Sequence, residues 1–159
     1  MEENRAKRLG DRDQSRPHEN KKPSQMELPF ASDQEFERRV LHYPDIPLVE
    51  LVPGSNTHLV FGDKITVSFL TMSANSYFPP HRHEAEQVMI VLDGYADEIV
   101  EGKLYRLKSG DVILLPSNVE HGAYLREVDC RVIDIFSPPR QDFRDKYVKA
   151  IQKTKERRS

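Results

Sequence analysis

Between Leu48 and Phe136 the apolar residues come in short runs and alternations, with glycine, proline, asparagine or aspartate between them. Leu48–Val52 precedes Pro53-Gly54, and His58–Phe61 precedes Gly62-Asp63. Ile65, Val67 and Phe69 alternate with Thr66 and Ser68, the period of a half-buried strand. Further strands are predicted at Tyr77–His83, Gln87–Leu92, Ala96–Val100, Lys103–Leu107, Asp111–Leu115, His121–Leu125 and Arg131–Phe136. Glu101-Gly102 has the composition of a two-residue hairpin turn. The absence of any helical period here, and the short regular spacing, predict an all-β sandwich or barrel.

The flanks read differently. Ser32 followed by Glu35 is a capping box, predicting a short helix that places Phe36 and Val40 on one face. Pro44 and Pro47 end it and begin an extended lead-in. Phe143, Tyr147 and Ile151 recur at i, i+4 and i+8 after Pro138-Pro139, predicting an amphipathic C-terminal helix that docks its stripe on the core, with a dimer partner as the alternative destination. Residues 1–30 are expected to be a disordered tail, charged and almost without apolar side chains after Leu9 as far as Gln25. The expected organisation is therefore a tail over 1–30, helix and lead-in over 31–47, barrel over 48–137, and helix and tail over 138–159, its last residues frayed.

Composition narrows the functions. A net charge of −2 gives no overall drive toward nucleic acid or a membrane surface. No apolar run approaches the ~20 residues that span a bilayer, and the charged N-terminus has no signal-peptide core. The single cysteine, Cys130, cannot form an internal disulfide and reads as a small buried hydrophobe; a cytoplasmic location is expected.

The chemistry concentrates in two stretches. His81 and His83 stand two apart on a predicted strand and so share a face; His121 follows the apolar run Asp111–Leu115. Three imidazoles from neighbouring strands can place their nitrogens ~2.0–2.2 Å from one metal ion. Gln87, four residues after His83 and on its parity, is the preferred fourth ligand; Glu86, on the other parity, is the runner-up.

These two stretches resemble the paired motifs of the cupin superfamily of small jelly-roll barrels. In the first, Asn75, His81-Arg82-His83, Gln87 and Gly94 keep the family's spacing; in the second, Gly110, Pro116-Ser117-Asn118 and His121 do. Asn75 and Asn118 stand where the family has glycine, and asparagine best tolerates the left-handed backbone those turns need. Gln87 stands where the family has glutamate, so the site would keep the full charge of a divalent ion. The resemblance implies a single-domain cupin β-barrel holding one divalent transition metal (Zn, Ni, Fe or Mn) on His81, His83, Gln87 and His121.

The end of the barrel resembles the KdgF-type cupins more closely. Their Asp-x-Phe-x-x-x-Arg pattern beside a three-His, one-Gln metal is met by Asp134, Phe136 and Arg140. That resemblance implies a cytoplasmic enzyme, expected as a homodimer by likeness to small cupins, that opens the ring of an unsaturated monouronate to its linear keto form in pectin or alginate breakdown. Asp134 would be its general acid/base, or else a carboxylate paired with Arg131 or Arg140 at the rim. Arg140 would grip the substrate carboxylate in a bidentate fork, or else stay solvated. Phe136 would cover the sugar's apolar face, or else be a core aromatic. Tyr77, Tyr95, Tyr105 and Tyr124 are further candidates for polar tips lining the barrel. The expected partner is a small anionic substrate, with neither nucleic acid nor membrane. The competing readings are another metal-dependent cupin enzyme (dioxygenase, lyase or isomerase) and a non-catalytic cupin binding a sugar acid or a metal.

Overall fold

The computed structural model describes residues 29–156. The expected disorder over 1–30 falls almost wholly outside them, as does the fraying expected beyond Glu156. The described residues up to Val40 belong to one unit and those from Leu41 onward to another. In the first, α1 (Asp33–Arg39) has the capping box read from sequence: Glu35 N donates to Ser32 Oγ at 3.3 Å, and Ser32 N donates to Glu35 Oε2 at 2.8 Å. None of the α1 residues is buried.

The second unit holds ten strands: β1 (Leu48–Val52), β2 (Ser55–Phe61), β3 (Thr66–Met72), β4 (Tyr77–His81), β5 (Glu86–Asp93), β6 (Tyr95–Val100), β7 (Lys103–Lys108), β8 (Val112–Leu115), β9 (His121–Tyr124) and β10 (Cys130–Ser137). They form two antiparallel sheets, ordered β1-β2-β3-β10-β5-β8 and β4-β9-β6-β7. This meets the sandwich or barrel expected from the strand spacing, in the jelly-roll form that the cupin resemblance implies. Glu101 and Gly102 carry the β6–β7 hairpin with φ of 48° and 75°, the paired positive angles that match the twist of the strands. Asn75 (φ 63°) and Asn118 (φ 61°) adopt the left-handed turns anticipated for them.

One strand presents the opposite face from the expected one. On β3, Thr66, Ser68, Leu70 and Met72 point into the barrel, while Val67 and Phe69 lie on the outer side. The inward hydroxyls have partners: Ser68 and Thr57 share a 2.8 Å hydrogen bond, and Thr66 Oγ1 accepts from Arg140 N at 3.1 Å. Outside, Tyr43 stacks on Phe69 with centroids 4.1 Å apart, which gives the outer aromatic its own cover.

The interior falls into two clusters. Leu70, Met72, Met89, Val91, Leu125 and Val132 fill one, with Cys130 fully buried beside them. Burial pushes the Cys130 thiol up to about 11, consistent with a structural role. Val49, Leu59, Ala85, Phe136 and Phe143 form the other. Phe143 comes from α2 (Gln141–Glu156), whose Tyr147 and Ala150 pack on the same cluster, so Phe143 and Tyr147 of the predicted stripe dock on the core. Lys146 Nζ donates to the Leu51 carbonyl at 3.0 Å, anchoring the helix on β1.

Candidate metal centre and its cavity

β4 is an edge strand, and Pro79 and Pro80 cannot donate to its ladder. The β4–β9 register shifts between Phe78 and His81, then resumes with His81 directly opposite His121. Gly122 makes this close approach possible, because a Cβ there would sit 2.6 Å from the Phe78 carbonyl oxygen. His83 lies beyond the end of β4, in the connection to β5, so strand alternation is not what brings it to His81. The loop is pinned instead by the second motif: Asn118 N donates to the His83 carbonyl at 2.8 Å.

The three imidazoles meet. Their centroids are 4.5 Å (His81–His121), 4.8 Å (His83–His121) and 5.6 Å (His81–His83) apart, and one ligand nitrogen from each lies within 4.8 Å of the others. Each Nδ1 faces a backbone carbonyl: Pro79 at 3.0 Å for His81, Ala85 at 2.7 Å for His83, and Val119 at 2.9 Å for His121. A carbonyl only accepts, so each Nδ1 carries the proton and each Nε2 keeps a lone pair. Burial holds His121 down at about 4 and also lowers His83, aided there by Arg140, so both stay neutral at pH 7.

Two atoms in this arrangement lack a suitable protein partner. His121 Nε2 is buried with no hydrogen bond. His83 Nε2 faces Gln87 Oε1 at 3.2 Å while the Gln87 amide donates to Asp134 Oδ1 at 2.9 Å, so two acceptors oppose each other. A cation between them resolves both features. The three histidines thus fit a divalent transition metal, with Gln87, inward on β5, beside them.

A cavity of about 230 Å³ opens next to this cluster, with His81, His121 and Gln87 in its lining. Asp134, on β10, is 4 % exposed and has neither Arg131 nor Arg140 as a rim partner. Arg131 pairs with Asp93 and Arg140 with Asp142, which sets aside the rim-pair reading. Desolvation raises Asp134 to about 7, opposed by the Gln87 hydrogen bond and by Arg140.

Arg140 is not solvated: its side chain is 11 % exposed and stacks over Phe136 (5.1 Å) and Phe143 (4.3 Å). Its fork already binds a carboxylate, that of Asp142, at 2.8 and 2.7 Å. Phe136 is both a core residue and part of the cavity wall, 5.6 Å edge-on from His83. Tyr77, Tyr105 and Tyr124 are exposed and Tyr95 half-buried, and the cavity wall includes none of the four.

The structure adds cavity residues that the motifs did not reveal. Asp142 and Lys146 come from α2, whose stripe showed that it docks but not where. Glu98 comes from β6; only its parity with inward Ala96 could have marked it.

Residues 68–136 match the cupin domain model. The pectin degradation protein KdgF of Dickeya dadantii (strain 3937) is 29 % identical over 108 residues, spanning 67 % of this chain and 98 % of that protein. The solved structure of KdgF from Halomonas sp. is 31 % identical with a TM-score of 0.57, over 60 % of this chain and 89 % of that one. An RmlC-like cupin from Shewanella frigidimarina is 24 % identical with a TM-score of 0.62, over 66 % and 95 % of the two chains, a likeness of fold. Metal-ready histidines between two jelly-roll sheets and these relatives agree: the chain belongs to the cupin superfamily, among its KdgF-type members.

Proposed function

We propose that this cupin opens the ring of an unsaturated monouronate to its linear keto form, as a metal-dependent step in pectin or alginate breakdown. The observation that carries the reading is Asp134: a buried carboxyl hydrogen-bonded to the proposed ligand Gln87, on the wall of a cavity sized for one small molecule. His81, His83, His121 and Gln87 are the proposed ligands. A divalent ion held there supplies Lewis acidity toward a substrate oxygen.

The reaction is an isomerisation that needs proton transfers but no oxidant. The C1 hydroxyl loses its proton, C1 becomes an aldehyde as its bond to the ring oxygen breaks, and the resulting enol becomes a ketone once C4 gains a proton. Asp134 moves protons within the cavity, and its near-neutral pKa suits it to exchange them at pH 7. Arg140 attracts the substrate carboxylate, which competes with Asp142 for the guanidinium, and Phe136 lines the wall beside it. Metal-loaded protein should abolish the absorbance of an unsaturated monouronate while aldehyde appears; no change with any such uronate, at full metal occupancy, overturns the reading. A homodimer is the proposed assembly, supported by exposed Leu92, Val112 and Leu114 at the β5–β8 end of the larger sheet, and a molar mass from light scattering tests it.

A further inference from the structure

Glu98 has no place in the motifs, yet it is 3 % exposed and lines the cavity. Among the described residues it has no hydrogen bond and no ion pair. Its neighbour Asp97 is equally buried and has two arginines. A carboxyl hidden without partners is costly, and the cost is least when it is protonated. The strand around it provides room: small Ala123 is its register partner on β9, and Gly122 next to it also lines the cavity. Glu98 belongs to the four-stranded sheet and Asp134 to the six-stranded one, so the cavity has a carboxyl from each.

We propose that Glu98 is a second acid/base residue, donating the proton that C4 receives while Asp134 takes the one that the C1 hydroxyl loses. This role rests on the ring-opening reading above. It divides a task that a single carboxyl would have to perform at two separated atoms of the sugar. The balance is simple. The O–H bond at C1 breaks, its proton goes to Asp134 and its electron pair forms the C1=O bond; the bond from C1 to the ring oxygen breaks with its pair on that oxygen, which forms the C5=O bond as the C4=C5 pair takes the proton of Glu98 to make the C4–H bond. Glu98 ends ionised and Asp134 protonated, and exchange with solvent restores both.

The environments suit this division. Burial, with the Asp134 charge second, raises Glu98 to about 8 and keeps it protonated at pH 7. Carboxyls brought to one cavity from facing sheets can serve as acid and base in one site. The other titratable groups around the cavity are His81, His121, Arg140, Asp142 and Lys146.

The test compares metal-loaded wild type with Glu98→Gln and Glu98→Asp on an unsaturated monouronate, alongside metal content, melting temperature and infrared spectra. Glu98→Gln should lose about 10²-fold or more in kcat with metal content and fold retained, and Glu98→Asp should recover part of it. The alkaline fall of the wild-type pH–rate profile should vanish from the residual activity of Glu98→Gln. The wild-type infrared spectrum at pH 7 should show the carbonyl band of protonated carboxylic acid, weakened in Glu98→Gln by the intensity of one carboxyl. An active wild type with Glu98→Gln at the same rate, or with the alkaline limb intact, overturns the role of Glu98 alone. A wild-type spectrum without that band at pH 7 does so even if neither variant folds. A wild type inactive on every such uronate overturns the ring-opening reading and this inference with it.

Discussion

Asp97 and Glu98 are consecutive on β6 and almost equally hidden, at 1 % and 3 % exposure, yet their surroundings are opposites. Asp97 receives the Nε–H of Arg106 and of Arg126, each at 2.8 Å, and Arg106 adds a second bond at 3.1 Å. The Arg106 hydrogen bond, above all, holds its carboxyl below the usual range. Glu98, on the cavity side, has the Asp134 charge near it and no cation paired with it. Burial of an acid therefore does not mark function by itself; its partners do. Asp97 ties β6 to β7 and to the segment after β9, whereas Glu98 and Asp134 keep a proton within reach of the cavity.

The largest effect that can break this contrast is at the cavity. Asp134→Asn retains a side chain that can accept from Gln87 but cannot carry the proton, so kcat should drop about 10²–10⁴-fold in steady-state kinetics with metal content unchanged. Near wild-type turnover would return Asp134 to the structural class of Asp97.

A smaller effect separates the two acids by pH. Because the folded pKa of Glu98 lies above its unfolded value, the unfolded chain releases this proton first as pH rises. Glu98 thus lowers stability progressively between about pH 4.5 and pH 8, by at most about 1.4 kcal/mol per pH unit. Denaturant titrations should find Glu98→Gln gaining on wild type across that window. Asp97 has the reverse sign. Its stabilisation is present above the unfolded pKa and is lost as pH falls through the depressed folded value. Both arginines are about half exposed, so Asp97→Asn should cost only about 1–2 kcal/mol at pH 7, and less as pH falls below the ordinary carboxylate range, with turnover nearly unchanged.

The smallest change concerns Asp142. Releasing the Arg140 fork by Asp142→Asn should lower KM for the uronate by about five-fold at most, since a half-exposed ion pair is worth ~0.2–1 kcal/mol. A rise in KM would instead mean that Asp142 positions Arg140 for the substrate.

The same contrast explains what could be read in the chain beforehand. His83 joins His81 and His121 through the Asn118 contact to its loop, but strand period, the capping box at Ser32 and the turns at Asn75 and Asn118 follow from local rules of spacing and backbone sterics. Facing does not. Alternation on β3 gives a period of two, but whether Phe69 or Ser68 turns inward depends on Tyr43 and Thr57, which are distant in sequence. The Gln87 partner of Asp134 likewise depends on where β5 packs, whereas Asp142 is only two residues from Arg140. Glu98 looked no different from Asp97 because only the fold decides which of two adjacent acids meets arginines.

The most direct test is the metal content of purified wild type and His121→Ala, measured by elemental analysis after exposure to a mixture of divalent transition metals. The account predicts one ion per wild-type chain and a clear loss in a variant that still folds. A folded wild type with no bound ion, or an equal content in the two proteins, would contradict it.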